Sequence, residues 1–520
     1  MRLTGRKSAF AALLIVGGAS GSACGSRSEL ALEDDPPAPT PEECLFDEDC
    51  PSPDLCLPAR CVSGVCEPAS APIACDDADP CTEDACNPST GQCRFRPLSF
   101  DQDGDGFYGP RPGYAAGAPD SCGDDCDDAS DKAFPGGVEA CDGVDNDCNG
   151  VIDDGARYHG VNTAPQRLSH LDDTRSGAAG LSSDGERWGV TLWGEVERRE
   201  ARFLGVSTDG TIEAEKLLTN HNGGSYGGPL VWTGAFYGVA WPDNRQDENV
   251  EVYFNRLDRN GDKLGPDLRL TNTPGFSLYP SISYDGSEFL VFWTDEEAGL
   301  SVLWVQRIAL DGEPVGPLTR VSPEGVWAEL YSLDFSSARL GASIASTDFA
   351  GDTSLHVLSR RRDFADDPTF IQIDTNPESH QTRFLGDRFV TVWTQVFDGP
   401  TFGQYVYGIS FDEFGNPLTA KTALTPGGGN VRSVALLSLG DRALLFWSDD
   451  SAGNYEIYVK TIDRELNELS PPERLTIADG YSVDAQPAFG PDSQVGVVFN
   501  DTRDGGAAQA YMLHLACDDQ

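Results

Sequence analysis

The feature that most constrains this chain is a repeat of about 50 residues that begins at about residue 157. In each copy an apolar strand ends on one aromatic position, after a turn such as Asp285-Gly286. Each copy closes with a motif such as Arg269-Leu270-Thr271. Four antiparallel strands per copy predict a mainly β fold, a seven-bladed β-propeller with four-stranded blades over residues 157–520. The seven positions are Trp193, Trp241, Trp293, Trp393, Trp447, Phe499 and, in a degraded copy, Ser346.

The two ends of the repeat predict how the ring closes. The seventh copy reaches Cys517 before a fourth strand can form, whereas Arg167-Leu168-Ser169 stands alone ahead of the first copy. We expect the N-terminal segment to supply the missing strand, because an open ring would leave two unpaired edges. The repeated aromatic residues are interpreted as core between blades rather than as a ligand cage.

Charge excludes one class of partner. The chain has 84 acidic and 37 basic residues, a formal net charge of -47. Nucleic acid is therefore not expected as a partner, since phosphate binding needs clustered Lys and Arg. The same excess of negative charge attracts divalent cations.

The first 43 residues predict export and anchoring. Basic residues precede an apolar run over 9–16 and then small residues, which is typical of a secretory signal over 1–23. Gly21-Ser22-Ala23-Cys24 resembles the lipobox of bacterial lipoproteins, although Gly21 stands where a Leu-like residue is usual. We expect lipidation of Cys24, with ordinary cleavage after Ala23 as the alternative. Residues 24–43 read as an acidic, Pro-rich tether. The expected location is the outer membrane or cell surface, or a secreted or periplasmic state without the lipid.

Residues 44–96 predict a module held by disulfides. They contain nine cysteines and few aliphatic residues, so a hydrophobic core cannot supply the stability. Zinc is the weaker interpretation, because no C-x-x-C pair occurs and the segment is expected to be exported. The run that begins at Cys75 and ends at Cys86 resembles small cysteine-rich repeats that precede other domains in bacterial surface proteins.

Residues 97–156 carry two candidate calcium loops. Alternating oxygen ligands followed by glycine occur twice, and each resembles the start of an EF-hand loop. The twelfth positions, Pro112 and Ala156, supply no carboxylate, so further ligands must come from elsewhere. Asp124, Asp125, Asp127, Asp128 and Asp131 are the candidates for these further ligands. The loop ligands are Asp101, Asp103 and Asp105 in the first copy and Asp145, Asp147, Asn149 and Asp153 in the second.

The order of these loops with Cys122 to Asp128, Phe134-Pro135-Gly136 and Glu139 to Gly150 resembles a metal-binding motif of bacterial surface proteins. That family is related to the copper-binding protein MopE. The resemblance implies a calcium-bearing module in which two disulfide bridges join four cysteines. Copper is disfavoured, because the segment has no His or Met. A solvated acidic linker without metal is the alternative. The four cysteines are Cys122, Cys126, Cys141 and Cys148.

Cysteine parity predicts a bridge to the last blade. If Cys24 is lipidated, nine cysteines remain in the first module, four in the second and Cys517 at the end. We expect Cys517 to pair with the odd cysteine of the front modules.

No catalytic residue is assigned from the sequence. H-E-x-x-H, G-x-S-x-G and phosphate-loop motifs do not occur, and Asp184-Gly185 breaks the spacing of a sialidase Asp-box. We therefore expect a cell-surface lipoprotein whose propeller binds a glycan, a peptide or a surface protein. An extracellular carbohydrate-active hydrolase or lyase and a purely structural envelope protein are the alternatives.

The signal sequence generates the first prediction. Mass spectrometry of the mature N-terminus should find an acylated Cys24, and the Cys24→Ala variant should be released in soluble form. An unmodified Cys24 at the N-terminus of the mature wild-type protein would contradict lipidation.

Overall fold

The computed structural model describes residues 43–119, 121–141, 144–149, 158–160, 164–245, 249–297, 300–348, 350–397, 403–427, 429–491 and 494–517. The signal, the tether, Cys24 and Asp153 lie outside these ranges. The chain divides into two compact units, residues 1–98 and 99–520. The acidic loops and the propeller therefore belong to one unit. Among the described residues, the structure contains no helix with the length and apolar character needed to cross a bilayer.

Disulfides and two short hairpins build the first unit. Its apolar side chains are largely exposed, as expected of a small module without a large core. The disulfide bridges of this unit include Cys44–Cys61, Cys50–Cys66, Cys56–Cys86 and Cys75–Cys93. A 3-10 turn at Asp47–Asp49 is followed by β1 (Ala59–Val62), β2 (Val65–Pro68), β3 (Thr82–Cys86) and β4 (Cys93–Pro97), which pair as β1 with β2 and β3 with β4.

The second unit confirms a seven-bladed propeller of four-stranded antiparallel blades. The strands β5 (Tyr158–Gly160) and β6 (Gln166–Arg167) precede the first complete blade. The first three blades are β7 (Arg175–Ser183), β8 (Trp188–Glu195), β9 (Arg199–Val206) and β10 (Ile212–Leu217); β11 (Leu230–Trp232), β12 (Tyr237–Asp243), β13 (Glu251–Leu257) and β14 (Leu268–Arg269); and β15 (Ser277–Tyr284), β16 (Glu288–Glu297), β17 (Leu300–Ala309) and β18 (Pro314–Arg320).

Blades four to six follow the same order. They are β19 (Ala328–Phe335), β20 (Arg339–Thr347), β21 (Thr353–Arg361) and β22 (Thr369–Thr375); β23 (His380–Leu385), β24 (Arg388–Phe397), β25 (Gly403–Phe411) and β26 (Thr422–Ala423); and β27 (Val431–Ser438), β28 (Arg442–Asp449), β29 (Glu456–Asp463) and β30 (Glu473–Arg474). The first strands of successive blades contact one another, as β19 does with β23 and β23 with β27, so these strands surround the central channel.

The seventh blade is composite. Its strands β31 (Ser482–Phe489), β32 (Val495–Asp501) and β33 (Gln509–Cys517) come from the C-terminus. Its outer edge is covered from the N-terminal side, because β5 pairs with residues 515–517 and β6 with residues 511–512 of β33. Leu168 adds a backbone bond to Ala510 of 2.8 Å and is only 2% exposed. Closure thus joins residues more than 340 positions apart.

Most of the repeated aromatic side chains form the core between blades. Trp241, Trp293, Trp393 and Phe499 are fully buried, and Trp447 is 3% exposed. Burial of such large rings removes much apolar surface from water, which stabilises each blade against its neighbour.

Buried polar groups connect neighbouring blades at the face where the first strands begin. Ser277, the first residue of β15, donates to Asp295 in its own blade and lies 3.5 Å from Glu251 of the preceding blade. Asp243 accepts bonds from Ser225 at 2.8 Å and Arg245 at 2.6 Å. Although burial raises the pKa of Asp243, these bonds hold it below its usual range. The acids at this face are therefore used to hold the ring together.

Closure of the ring generates a test with a matched control. Leu168→Ala should lower the free energy of unfolding by about 2–5 kcal/mol, because this side chain packs with Trp188 and Met512 across the closing blade. Leu171 is 89% exposed, so Leu171→Ala should change it by less than about 0.5 kcal/mol. Urea denaturation monitored by tryptophan fluorescence measures both. Equal effects of the two variants would contradict closure by this segment.

Candidate functional sites

Three carboxylates converge in the first acidic loop. Side-chain oxygens of Asp101, Asp103 and Asp105 lie within 4.8 Å of one another. Backbone N–H groups hold the loop in shape: Gly104 donates to Asp101 Oδ1 at 2.6 Å, and Phe107 donates to Asp105 Oδ1 at 2.7 Å. Gly104 has φ +89°, a conformation that favours glycine. The sequence D-x-D-G therefore folds so that its carboxylates face one centre.

Asp125, from outside the loop, lies near enough to the first acidic group to be affected by the charges of Asp103 and Asp105. It is fully buried, and its Oδ1 accepts the N–H of Asp127 at 2.9 Å. Its Oδ2 has no hydrogen-bond partner, and the same holds for Oδ2 of Asp103 and Asp105. Burial raises the pKa of Asp125, and the charges of Asp105, Asp103 and Asp128 raise it further. Unpartnered carboxylate oxygens are therefore buried close together, which is costly without a compensating charge.

Asp128 connects the loop to the segment that carries Asp125. Its Oδ1 accepts the N–H of Gln102 at 2.9 Å. Gly109 makes this approach possible, since a Cβ there would lie 2.6 Å from the Asp128 Cβ. The donor set is made of hard oxygens, and a divalent cation that prefers oxygen ligands fits it.

A second acidic group lies in the following loop. Oxygens of Glu139, Asp145 and Asp147 lie within 4.8 Å of one another. Glu139 is 7% exposed and accepts the N–H of Asp147 at 2.8 Å. The N–H of Asn149 lies 3.1 Å from Asp145 Oδ1 and 3.0 Å from Asp147 Oδ1. This arrangement again places carboxylates around one point, with one of them taken from outside the D-x-D-x-N stretch.

A buried asparagine and a ring stack hold the two loops together. Asn146 is 1% exposed; its Oδ1 accepts the N–H of Ala140 at 2.8 Å, and its Nδ2 donates to the Lys132 carbonyl at 3.1 Å. Phe107 of the first loop stacks on Phe134 beside the second, with ring centroids 5.1 Å apart. The two acidic groups are therefore parts of one packed module.

The structure brings together most, but not all, of the expected ligands. Asp127 is exposed and belongs to neither acidic group; its N–H donates to Asp125, its carbonyl accepts the N–H of Ser130 at 2.9 Å, and its role as a ligand stays a prediction. Glu139 was not anticipated, because it precedes the second loop instead of occupying a position in the EF-hand pattern. Its only sequence signal is an acid two residues before a cysteine. The expected ligands that converge are Asp101, Asp103 and Asp105 in the first group and Asp145 and Asp147 in the second, where the N–H of Asn149 bonds to both aspartates; Asp125 and Asp128 lie beside the first group.

The disulfides differ from the pairing that the resemblance implied. Cys126 bonds to Cys148, but Cys141 bonds to Cys517 across 376 residues, and Cys122 is also disulfide-bonded. Two bridges confined to the four module cysteines are therefore wrong, whereas the expected bridge from Cys517 to the front modules is present and ends at Cys141 of the acidic module. The physical reason is strand pairing: Tyr158, just after the module, pairs with Cys517 and brings the end of the module to the last strand. Other cysteine-containing acidic groups offer no free thiolate, because their sulfurs are in disulfides.

A separate cavity of about 490 Å³ lies in the propeller, where the first strands of the early blades begin. We call it the channel-mouth cavity. Three aromatic side chains line it, and among them Tyr226 is 40% and Tyr279 54% exposed. The third is Trp193, which corrects the interpretation that every repeated aromatic is core. The remaining lining residues are Ala178, Ala179, Gly227, Pro229, Pro242, Leu278 and Pro280.

Small neighbouring residues explain how the ring of Trp193 can lie on the wall of the cavity. It pairs across the sheet with Gly177, where a Cβ would lie 2.6 Å from the indole Nε1. The guanidinium of Arg199 lies 4.8 Å from the Trp193 ring and 4.0 Å from that of Tyr226. Glu195 in turn accepts bonds from Arg175 at 2.8 Å and Arg199 at 3.2 Å. The guanidinium of Arg199 thus helps to hold both rings in place, and Glu195 fixes the positions of the two arginines.

Backbone strain also shapes this cavity. Tyr279 has φ +52°, which is rare for a residue with a Cβ. The hydroxyl of Tyr331 donates to the Tyr279 carbonyl at 2.6 Å and holds this turn. Residues in such conformations persist only where the surroundings impose them, and they concentrate at functional sites.

A second cavity, of about 410 Å³, lies along the channel and shares Pro229 with the first. Its polar groups are engaged between strands: Asp334 accepts the N–H of Phe335 at 2.8 Å and of Phe384 at 2.9 Å. His380 Nδ1 lies 2.8 Å from the hydroxyl of Ser343, and burial lowers the pKa of His380 to about 4. Ser343 is fully buried, whereas His380, which lines the cavity, is 8% exposed.

Comparisons with known proteins support the metal module. Residues 125–154 match the family described as "Putative metal-binding motif", the MopE-related family, so the chain contains this motif. Residues 74–98 match the family described as "Dictyostelium (slime mold) repeat". No curated protein matches the sequence significantly.

Solved structures resemble the propeller only distantly. A protein of unknown function from Dyadobacter fermentans is 13% identical with a TM-score of 0.42, over 70% of this chain and 100% of that one. The β-propeller domain of the Trilobed protease from Pyrococcus furiosus is 8% identical with a TM-score of 0.41, over 65% and 96%. A subtype N10 neuraminidase-like protein of A/little yellow-shouldered bat is 9% identical with a TM-score of 0.40, over 70% and 100%. At this level of similarity they say nothing about ligand or chemistry.

The buried carboxylates generate a metal-binding prediction. Asp125→Asn keeps a side-chain oxygen for the Asp127 N–H but removes the charge, so we expect calcium, used as the probe ion, to bind about tenfold more weakly or not at all. Asp172→Asn is the matched control, because Asp172 is exposed and lies outside residues 97–156, which carry both acidic groups. Isothermal titration of the full chain measures both. Unchanged affinity in Asp125→Asn would show that these oxygens do not bind the metal.

Proposed function

We propose that this protein is an exported, lipid-anchored cell-surface protein whose calcium-loaded module holds closed a propeller that binds ligand at the channel mouth. The observation that carries the binding role is the channel-mouth cavity, where Trp193 and two exposed tyrosines meet beside small residues such as Gly177 and Gly227. Concave, mostly apolar cavities of this size are typical ligand sites.

Calcium is the proposed ion because of the donor set. The two acidic groups offer carboxylates on short loops, with ligands drawn from separate segments, and calcium accepts such flexible oxygen arrangements. Magnesium demands a stricter octahedron. Neither group contains His or Met, so copper is disfavoured. Because the loops lack a twelfth-position ligand, we expect a Kd of about 10⁻⁴ to 10⁻³ M, as in other extracellular modules.

The proposed role of the metal is structural support of the ring. Glu139 lies two residues before Cys141, whose disulfide ends on β33, the strand that β5 and β6 cover. The segment between Cys141 and Tyr158 is thus held at Cys517 by a covalent bond at one end and by strand pairing at the other. An ion bound at Glu139, Asp145 and Asp147 would stiffen this connection.

A binding role explains the cavities better than the alternatives. A purely structural envelope protein gives no reason for exposed aromatic rings in a strained, preformed cavity. A glycoside hydrolase needs a pair of carboxylates at the bond it cleaves. Among the described residues that line the two cavities, the acid is Asp334, whose oxygens already accept backbone N–H groups.

The coupling between metal and ring is open to test by calorimetry. Calcium at about one hundredfold excess over Kd should stabilise the wild-type protein by about 2.7 kcal/mol and raise the propeller melting temperature. In the double variant Cys141→Ser/Cys517→Ser the module is no longer bonded to β33, so this shift should be largely lost.

The matched control is Cys44→Ser/Cys61→Ser, which removes a bridge of the first unit and should keep the calcium shift. An equal shift in both double variants would show that the disulfide does not transmit metal binding. The absence of any shift in the wild-type protein would overturn the structural role of calcium.

A further inference from the structure

We propose that the channel-mouth cavity binds a neutral glycan, with a pyranose ring stacked on its aromatic walls. This inference rests on the proposed binding function and adds the chemical class of the ligand. Its first support is the surface of the cavity, which combines the rings of Trp193, Tyr226 and Tyr279 with proline side chains. A sugar ring presents apolar C–H groups on its faces, and such faces pack on aromatic rings.

The arrangement of the rings suits a compact ring-shaped ligand. Trp193 and Tyr226 are inclined at 66°, with centroids 6.3 Å apart, so they form a corner. Tyr279 lies on the same cavity, 54% exposed. A polyproline peptide docks along a groove of parallel aromatic ridges, and rings inclined in this way do not form one. Arg199 already lies against both rings, so a ligand ring would pack on their remaining exposed surface and on Tyr279. The volume of about 490 Å³ is within the range of small-ligand sites.

The charges favour a ligand without net charge. The wall of the cavity carries no charged side chain among the described residues; Glu195, which accepts bonds from both Arg175 and Arg199, lies outside this lining, and the bond from Arg175 holds the pKa of Glu195 below its usual range. No acid is among the residues that line this cavity in the described chain. The net charge of -47 repels acidic polysaccharides over the whole surface.

Polar groups at the edge match the hydroxyls of a sugar. The side chain of Arg175 is 50% exposed beside Trp193, and its guanidinium lies 5.9 Å from that ring. The phenol groups of Tyr226 and Tyr279 add hydrogen-bonding atoms to two exposed rings. A ligand with an apolar face and a hydroxyl-rich edge would satisfy both parts of the site.

The cavity is preformed. The strained turn at Tyr279 is held by Tyr331, and a Cβ at Gly228 would lie 1.7 Å from the Ala240 carbonyl oxygen, so the wall has little freedom to move. A ligand therefore binds without the cost of ordering these residues.

The test is binding of the calcium-loaded full chain to an array of neutral gluco-, manno-, galacto- and xylo-oligosaccharides, with acidic oligosaccharides and proline-rich peptides on the same surface. We expect binding to neutral glycans, reduced about tenfold or more in Tyr279→Ala and in Tyr226→Ala. Tyr481→Ala is the matched control, since Tyr481 is 51% exposed but lies in the last blade, away from the cavity, and should bind as the wild type does. Melting curves identify any variant that is unfolded.

The outcomes separate the ligand class from the binding function. Capture by proline-rich peptides or by acidic glycans that depends on Tyr279 would overturn the neutral-glycan inference and leave the binding function standing. Neutral-glycan binding that Tyr279→Ala and Tyr226→Ala leave unchanged would overturn the cavity as the site. No capture on any part of the array would contradict both, while the calorimetric test of the metal is unaffected.

Discussion

Pairing of the outer edge of β33 is the interaction on which the rest of the structure depends. Six blades supply all their own strands, but the seventh supplies only three, and an uncovered strand would expose backbone donors and acceptors. The N-terminal strands β5 and β6 cover that edge, and Ser169 and Ser176 both donate to Gln509 across the junction at 2.7 and 3.0 Å. At this junction Leu168 and Trp188 pack with Val498 and Met512 of the seventh blade, so the same strand pairing also covers apolar core.

The acidic module extends the same junction. Its carboxylates repel one another, and burial of Asp125 increases the cost of keeping them charged. A bound cation would turn this destabilising cluster into a rigid support, and the Cys141–Cys517 bridge places that support at the closing strand. In this view a bound cation offsets the repulsion between the carboxylates, and the stability of the module in turn supports closure of the ring.

Sequence periodicity was enough to predict the blades, because nearly every blade repeats the same pattern. A glycine-containing turn precedes an aromatic residue at the end of a strand, and a polar closing motif follows it. The acidic loops were also visible, since D-x-D-x-D-G encodes its ligands locally. Contacts between distant segments were not visible in the sequence. Glu139 and the Cys141–Cys517 bridge depend on where β5 brings the module, and Trp193 looks like the other tryptophans until Gly177 opposite it is seen. Because Trp193 fits the sequence repeat, the repeat alone does not reveal that this blade differs from the others in the structure.

Hydrogen exchange of the backbone amides tests the central claim most directly, because it reports on strand pairing residue by residue. In calcium, the amides of β33 should be as protected as those of the inner strand β32. After chelation, protection should fall at residues 158–160 and 515–517 but remain in β24 and β25, on another part of the ring. If the outer amides of β33 exchange in calcium as rapidly as those of an open edge, the ring is not closed by the N-terminal strands and this account is wrong.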